Sequence, residues 1–272
     1  MMTPFLCSVH THSTLCDGNN TPEDMAAAAC AAGVRYYGFS GHSHTPIPTD
    51  AGLTLPADLT EYRERVLRLR EEYAGRMEIL LGLEWDSLSD VEPEGLDYWI
   101  GSVHNQPAPN GTCYTTDWDE THFSLCIREG CGGDVQEMVR RYYEQLGRVA
   151  AKWPTLLGHF DGITKLNAGN RFFDQDAPWY RTLALDALHQ ADPEATLLEI
   201  NTAGLLKKGS PYPALFLLEA WRAMGGEVIL TADAHGTNRI TAGYREGIAL
   251  AQAAGFTRSV LLTAGGRASC PL

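Results

Sequence analysis

Seven short apolar runs punctuate this chain: "PFLCSV" (4–9), "RYYGFS" (35–40), "EILLGL" (78–83), "DYWIGSV" (97–103), "TLLG" (155–158), "TLLEI" (196–200) and "EVILTA" (227–232). Helix-like stretches separate several of them, among them "TPEDMAAAACAAG", "LTEYRERVLRLREEYAG", "DVQEMVRRYYEQLGRVAAKW" and "YPALFLLEAWRAMGG". Repeated strand–helix units run their strands in parallel with helices outside, so the pattern restricts the chain to the α/β class, its sheet open or closed into a barrel. The first unit carries its own punctuation: Thr21 can cap the helix, Pro22 suits its first position, Asp24 its first turn, and Gly33 its end. An eighth apolar run, "SVLLT" (259–263), follows near the C-terminus.

The chain has 272 residues and contains no internal repeat, low-complexity tract or linker, so a single domain over 1–272 is expected, most economically one barrel. One stretch breaks the rhythm. Residues 105–133, "NQPAPNGTCYTTDWDETHFSLCIREGCGG", are too long for a connector in a compact domain and should edge a functional site.

A formal net charge of −13 argues against a reader of nucleic-acid backbones, which needs clustered Lys and Arg; a small-molecule partner is the expectation. The seven cysteines are scattered without a CxxC pair, which makes a disulfide framework or a zinc knuckle a poor fit. The start "MMTPFLCSVH" lacks a basic segment followed by a long apolar one, and no window is apolar for the length of a membrane span. A cytoplasmic protein is expected.

The chemistry-bearing residues lie at the ends of the strand candidates. The first runs into His10 and His12, the second into His42, the third into Glu84, the fourth into His104, the fifth into His159, and the seventh into Asp233 and His235. In a closed parallel barrel all strand C-termini meet at one rim, where such enzymes keep their active sites. Side chains two apart on a strand face the same way, so His10 with His12 and Asp233 with His235 can each aim two groups at that rim. Any one of these histidines alone is most simply a core or surface residue. Eight such groups at six strand ends are not, because apolar strands would otherwise bury them without partners. Imidazoles and carboxylates without thiolates suit Zn, Mn or Fe better than calcium, and they exceed one tetrahedral shell, so more than one ion is expected.

In that order, "HTHSTLCDG", "FSGHSH", "GLEWD", "GSVHN", "LGHFDG" and "TADAH" resemble the polymerase and histidinol phosphatase (PHP) superfamily of metal-dependent phosphoesterases. "LEINTAG", "GHFDGITK" and "GSVH" with its long following loop resemble the histidinol-phosphate phosphatase branch. The resemblance implies a distorted (β/α)7 barrel and a trinuclear centre. His10, His12, Glu84 and Asp233 would hold one metal; Glu84, bridging, would join His104 and His159 on the second; Asp17, His42 and His235 would hold the third. Many relatives carry an aspartate before the second-strand histidine. Here Gly41 stands there, and His44, two residues on, is a rival ligand, an outer contact or a substrate contact.

The implied reaction is hydrolysis of L-histidinol phosphate to L-histidinol and phosphate, a late step of histidine biosynthesis. A hydroxide bridging two metals would attack in line, with Glu84 central to it. No protein nucleophile is needed, and "GFSGHS" does not fit the GxSxG elbow. Lys165, Arg171, Lys207, Lys208 and Arg239 are candidates for a phosphate clamp, Lys165 and Lys207 foremost. The superfamily often has arginine in those regions, and a lysine offers no bidentate fork. Asn201 is either a substrate contact or the holder of a turn. Asp161 would orient His159 or protonate the leaving alcohol. His122 and His189 read as structural. Two other functions remain open: a phosphoesterase for another small ester, such as a nucleotide or sugar phosphate, and a noncatalytic metal-binding module.

Overall fold

The computed structural model describes residues 3–47 and 53–272. In chain order the elements are β1 (Cys7–Ser8), α1 (Pro22–Ala31), β2 (Tyr36–Phe39), α2 (Thr60–Glu72), β3 (Glu78–Leu81), β4 (Glu84–Asp86), β5 (Ile100–Ser102), β6 (Asn105–Pro107), β7 (Cys113–Thr115), α3 (Glu120–Leu125), α4 (Val135–Ala150), β8 (Leu156–Leu157), α5 (Pro178–Leu188), β9 (Leu197–Asn201), α6 (Gly204–Lys207), α7 (Leu215–Ala223), β10 (Glu227–Thr231), α8 (Tyr244–Ala253), β11 (Arg258–Thr263) and β12 (Gly266–Pro271). α1 begins as its sequence dictates: Thr21 Oγ1 accepts from the Asp24 N–H at 3.2 Å and Pro22 opens the helix.

All seven apolar runs form parallel strands, and an eighth parallel strand, β4, follows the third run directly after Gly82 and Leu83. They form a three-stranded sheet, β1-β2-β3, and a five-stranded one, β10-β9-β8-β5-β4. Two isolated parallel bridges tie the sheets together, Thr11 to Ala234 and His42 to Glu84. The eighth run departs from the series. It is β11, which turns back antiparallel on β12.

Strand alternation divides the core in two. Leu198 and Ile200 of β9 and Val228 and Leu230 of β10 join the large cluster beneath the helices. Leu197 and Ile229 face the other way, into a smaller cluster with Val9, Leu80, Tyr98, Ile100 and Leu156. Continuing that second face along β9 and β10 with a period of two leads to Glu199 and Asn201, and to Thr231 and Asp233. The same face that packs the inner core therefore presents polar groups at the strands' C-terminal ends.

The stretch 105–133 is not irregular. It folds as the β6–β7 hairpin, α3 and a π turn over Cys126–Gly130. Among the described residues no helix is long and apolar enough to cross a membrane.

Candidate metal centre

The first loop is held by the last strand. The His12 N–H donates to the Ala234 carbonyl and the Ala234 N–H to the His10 carbonyl, both at 3.0 Å. With Thr11 paired to Ala234, the flanking side chains His10, His12, Asp233 and His235 converge. Asp17 arrives through a tight return of the chain, the Gly18 N–H donating to the Ser13 carbonyl at 2.9 Å. A Cβ at Gly18 would lie 2.4 Å from the Ser13 nitrogen, so only glycine closes this turn. Asp233 itself has a positive φ of 48°, a conformation costly for a residue with a side chain and typical of functional sites.

Four atoms lie at the centre. His10 Nε2 and His12 Nε2 are 3.2 and 3.4 Å from Glu84 Oε2, and 3.6 and 3.2 Å from Asp233 Oδ1. All four are buried, and none has a hydrogen-bond partner. Orphaned buried polar atoms are rare and expensive, and four facing one another call for a cation between them. Ligands about 2.0–2.2 Å from a tetrahedrally bound ion stand roughly 3.3–3.6 Å apart, so the spacing fits.

The other oxygen of Glu84 faces a second pair: Oε1 is 2.9 Å from His159 Nε2 and 3.2 Å from His104 Nε2. A third group surrounds Asp17, whose Oδ2 is 3.1 Å from His235 Nε2 and 3.4 Å from His42 Nε2, while Oδ1 is 3.4 Å from His12 Nδ1. His42 stands between groups, its Nδ1 2.9 Å from Glu84 Oε2. Burial alone would raise the carboxyls of Glu84 and Asp233, but the imidazoles around them prevail and hold both well below the carboxylate range. Burial, with His235 and His42 alongside, brings His12 down to about 4, which leaves one ring nitrogen with a lone pair free for a metal.

Three orienting residues were not anticipated from the sequence. Glu199 Oε1 lies 2.5 Å from His10 Nδ1, Asp86 Oδ2 2.9 Å from His104 Nδ1, and Cys16 Sγ 3.6 Å from His12 Nδ1. Imidazole ligands are commonly fixed in this way through the nitrogen turned away from the metal. A signal was available for two of them: Asp86 is two residues beyond Glu84, and Glu199 is an acid in an otherwise apolar buried strand.

The cluster floors a cavity of about 470 Å³ whose lining includes Asp117, Tyr212, Lys165, Lys207 and Arg239. Lys165 Nζ is 3.0 Å from Asp117 Oδ2. Lys207 is exposed on the wall, whereas Lys208 is half-buried, donating to Thr164 Oγ1 at 3.1 Å, with Asp161 Oδ2 3.5 Å away.

Other candidate residues are not brought in. His44 turns away, its Nδ1 2.6 Å from Asp90 Oδ1, and Arg171 pairs with Glu120 of α3 at the surface. Asn201 is wholly buried and links two carboxylates of the cluster, with Nδ2 3.1 Å from Glu199 Oε2 and 3.2 Å from Asp233 Oδ2. Asp161 is also wholly buried; its Oδ2 accepts the Ala214 N–H at 3.0 Å. His122 stacks on Trp118 and pairs with Asp119, and His189 caps the end of α5.

Fold and site together define an α/β protein that gathers divalent metal ions at its strand ends. The chain belongs to the PHP domain family, whose model matches residues 8–203. A Deinococcus radiodurans protein named "Probable histidinol-phosphatase" is 32% identical over 241 residues, covering 85% of this chain and 86% of that one. The Bacillus subtilis "Histidinol-phosphatase" is 25% identical, covering 83% and 92%. The crystal structure of histidinol phosphate phosphatase from Lactococcus lactis, complexed with zinc, L-histidinol and phosphate, superposes with a TM-score of 0.66 at 17% identity, covering 96% of this chain and 98% of that one.

Proposed function

We propose that this protein is a metal-dependent phosphomonoesterase that hydrolyses L-histidinol phosphate to L-histidinol and phosphate. The observation that carries the reading is Glu84: one buried carboxylate with His10, His12 and His42 about one oxygen and His104 and His159 about the other, at the floor of a cavity of substrate size. The names of relatives aligned over more than four-fifths of the chain supply the substrate.

The ligand assignment is His10, His12, Glu84 and Asp233 for one ion, Glu84, His104 and His159 for a second, and Asp17, His42 and His235 for a third. Zn, Mn and Fe all suit these donors. When bound, such ions activate water near neutral pH and neutralise charge on the phosphoryl group. With β3 and β4 taken as one interrupted strand, the parallel strands read as a distorted (β/α)7 barrel, a reading supported by the bridges at Thr11–Ala234 and His42–Glu84.

The remaining residues bind and orient. Lys165 and Lys207, reaching the cavity from different segments of the chain, meet the phosphate with single-point donors rather than a guanidinium fork. Leu53, Trp118 and Leu206 are exposed apolar side chains at the same cavity, where a leaving group with an aromatic ring finds contact. No side chain is required as a nucleophile.

Steady-state kinetics on histidinol phosphate, a nucleoside monophosphate, a hexose phosphate and p-nitrophenyl phosphate test the proposal. Histidinol phosphate should have the highest kcat/KM by at least about tenfold, equivalent to about 1.4 kcal/mol of preference. Equal rates on all four would leave a generic phosphoesterase. No turnover of any ester by the metal-loaded protein would leave a binding module.

A further inference from the structure

We propose that Glu199 is a positioning residue that sets the geometry of the metal centre from behind, an inference that rests on the ligand assignment above. Glu199 is wholly buried in β9 and meets four donors, two on each oxygen. Oε1 accepts from His10 Nδ1 at 2.5 Å and from Thr231 Oγ1 at 2.7 Å. Oε2 accepts from the His159 backbone N–H at 2.6 Å and from Asn201 Nδ2 at 3.1 Å. The same Asn201 amide reaches Asp233 Oδ2. One carboxylate is thereby tied to the His10 ring, to the backbone that carries His159 and, through Asn201, to Asp233.

The chemistry of the donors explains why the residue is an acid. An ionised carboxylate only accepts, at about four lone-pair positions, and here four are used. A glutamine of the same shape accepts at one end and donates at the other. Its NH2 would face either the His159 N–H and the Asn201 amide, or the Thr231 hydroxyl and His10 Nδ1. In the second orientation His10 would have to accept at Nδ1 and carry its proton on Nε2, the nitrogen aimed at Glu84 and Asp233, which then has no lone pair for an ion.

The test is Zn2+ affinity of the full chain, measured by competition with a chromophoric chelator, for the unaltered protein and for Glu199→Gln and Asn201→Ala. Glu199→Gln should weaken the tightest Zn2+ by about 10- to 100-fold, the usual cost of losing a partner behind a metal ligand. Asn201→Ala, which removes one donor of the four, should weaken it by less than Glu199→Gln. Activity of Glu199→Gln should recover when Zn2+ is raised in proportion, with the KM for histidinol phosphate within about twofold of the unaltered value; a purely structural lesion would not be rescued by metal. Zn2+ affinity within twofold of the unaltered protein in Glu199→Gln would overturn the proposal while leaving the ligand assignment standing. If Glu199→Gln does not fold, Asn201→Ala decides: weakened Zn2+ binding supports the proposal and unchanged binding overturns it. Failure of the unaltered protein to bind Zn2+ would overturn both the proposal and the assignment beneath it.

Discussion

His159 Nε2 lies 2.9 Å from Glu84 Oε1, the oxygen opposite the one that faces His10 and His12. A carboxylate with imidazoles about both oxygens can serve two ions, and Glu84→Ala would take a ligand from both. It is expected to lose at least one bound metal per chain by elemental analysis, and more than about 100-fold in kcat/KM, beyond the usual cost of losing an outer partner. Full metal content in that variant would exclude the bridging role.

Removal of metal should be reversible and should cost stability as well as activity. Dialysis against a strong chelator is expected to abolish hydrolysis and lower the melting temperature, with both restored by adding back a divalent ion. An ion present at about 100 times its Kd contributes about 2.7 kcal/mol to the folded state. A melting temperature indifferent to the chelator would mean that the cluster does not hold metal in the folded protein.

Lys165 tests the phosphate clamp separately from the metals. Its ammonium sits against Asp117 at the cavity wall, and no assigned ligand depends on it. Lys165→Met is expected to keep the metal content and lose about 10- to 100-fold in kcat/KM, the range of a charge-assisted hydrogen bond of about 1.5–3 kcal/mol. Inhibition by inorganic phosphate should weaken in parallel.

Tyr98 tests how the strands are held in register beneath the site. Its hydroxyl lies 2.6 Å from the Val9 carbonyl and 3.0 Å from that of Phe39, just before the histidine-bearing loops. The side chain fits only because residues 38 and 82 are glycine: a Cβ at 38 would lie 2.3 Å from the hydroxyl and one at 82 would lie 2.2 Å from the ring. Tyr98→Phe should cost about 1–3 kcal/mol in chemical denaturation, the penalty for stranding a buried acceptor. Gly82→Ala should cost more, because the ring has no room to move.

The strand ends were legible because alternation on a strand is a rigid geometric rule. It brought His10 and His12, and Asp233 and His235, to one place from sequence spacing alone. The rule does not reach His44, left open as a rival to His42. β2 ends at Phe39 and His42 is held only by a single bridge, so period two no longer governs the next side chain, and His44 turns out to Asp90. Glu199 and Asn201 belong to one face of a wholly buried strand, and an acid there needs partners. The four donors that meet this need come from residues up to 189 positions away, beyond the reach of local sequence. The long stretch after β5 hid a hairpin whose Asn110–Gly111 turn was readable in "PAPNGT". The pairings of Lys165 with Asp117 and Arg171 with Glu120 are long-range contacts that no local spacing reveals.

The most direct test of the account is a crystal structure of the metal-loaded protein with phosphate, using anomalous scattering to locate the ions. The account predicts three ions: one among His10, His12, Glu84 and Asp233, one among Glu84, His104 and His159, and one among Asp17, His42 and His235, with phosphate beside Lys165. A single ion, or ions bound elsewhere with Glu84 contacting none, would contradict it.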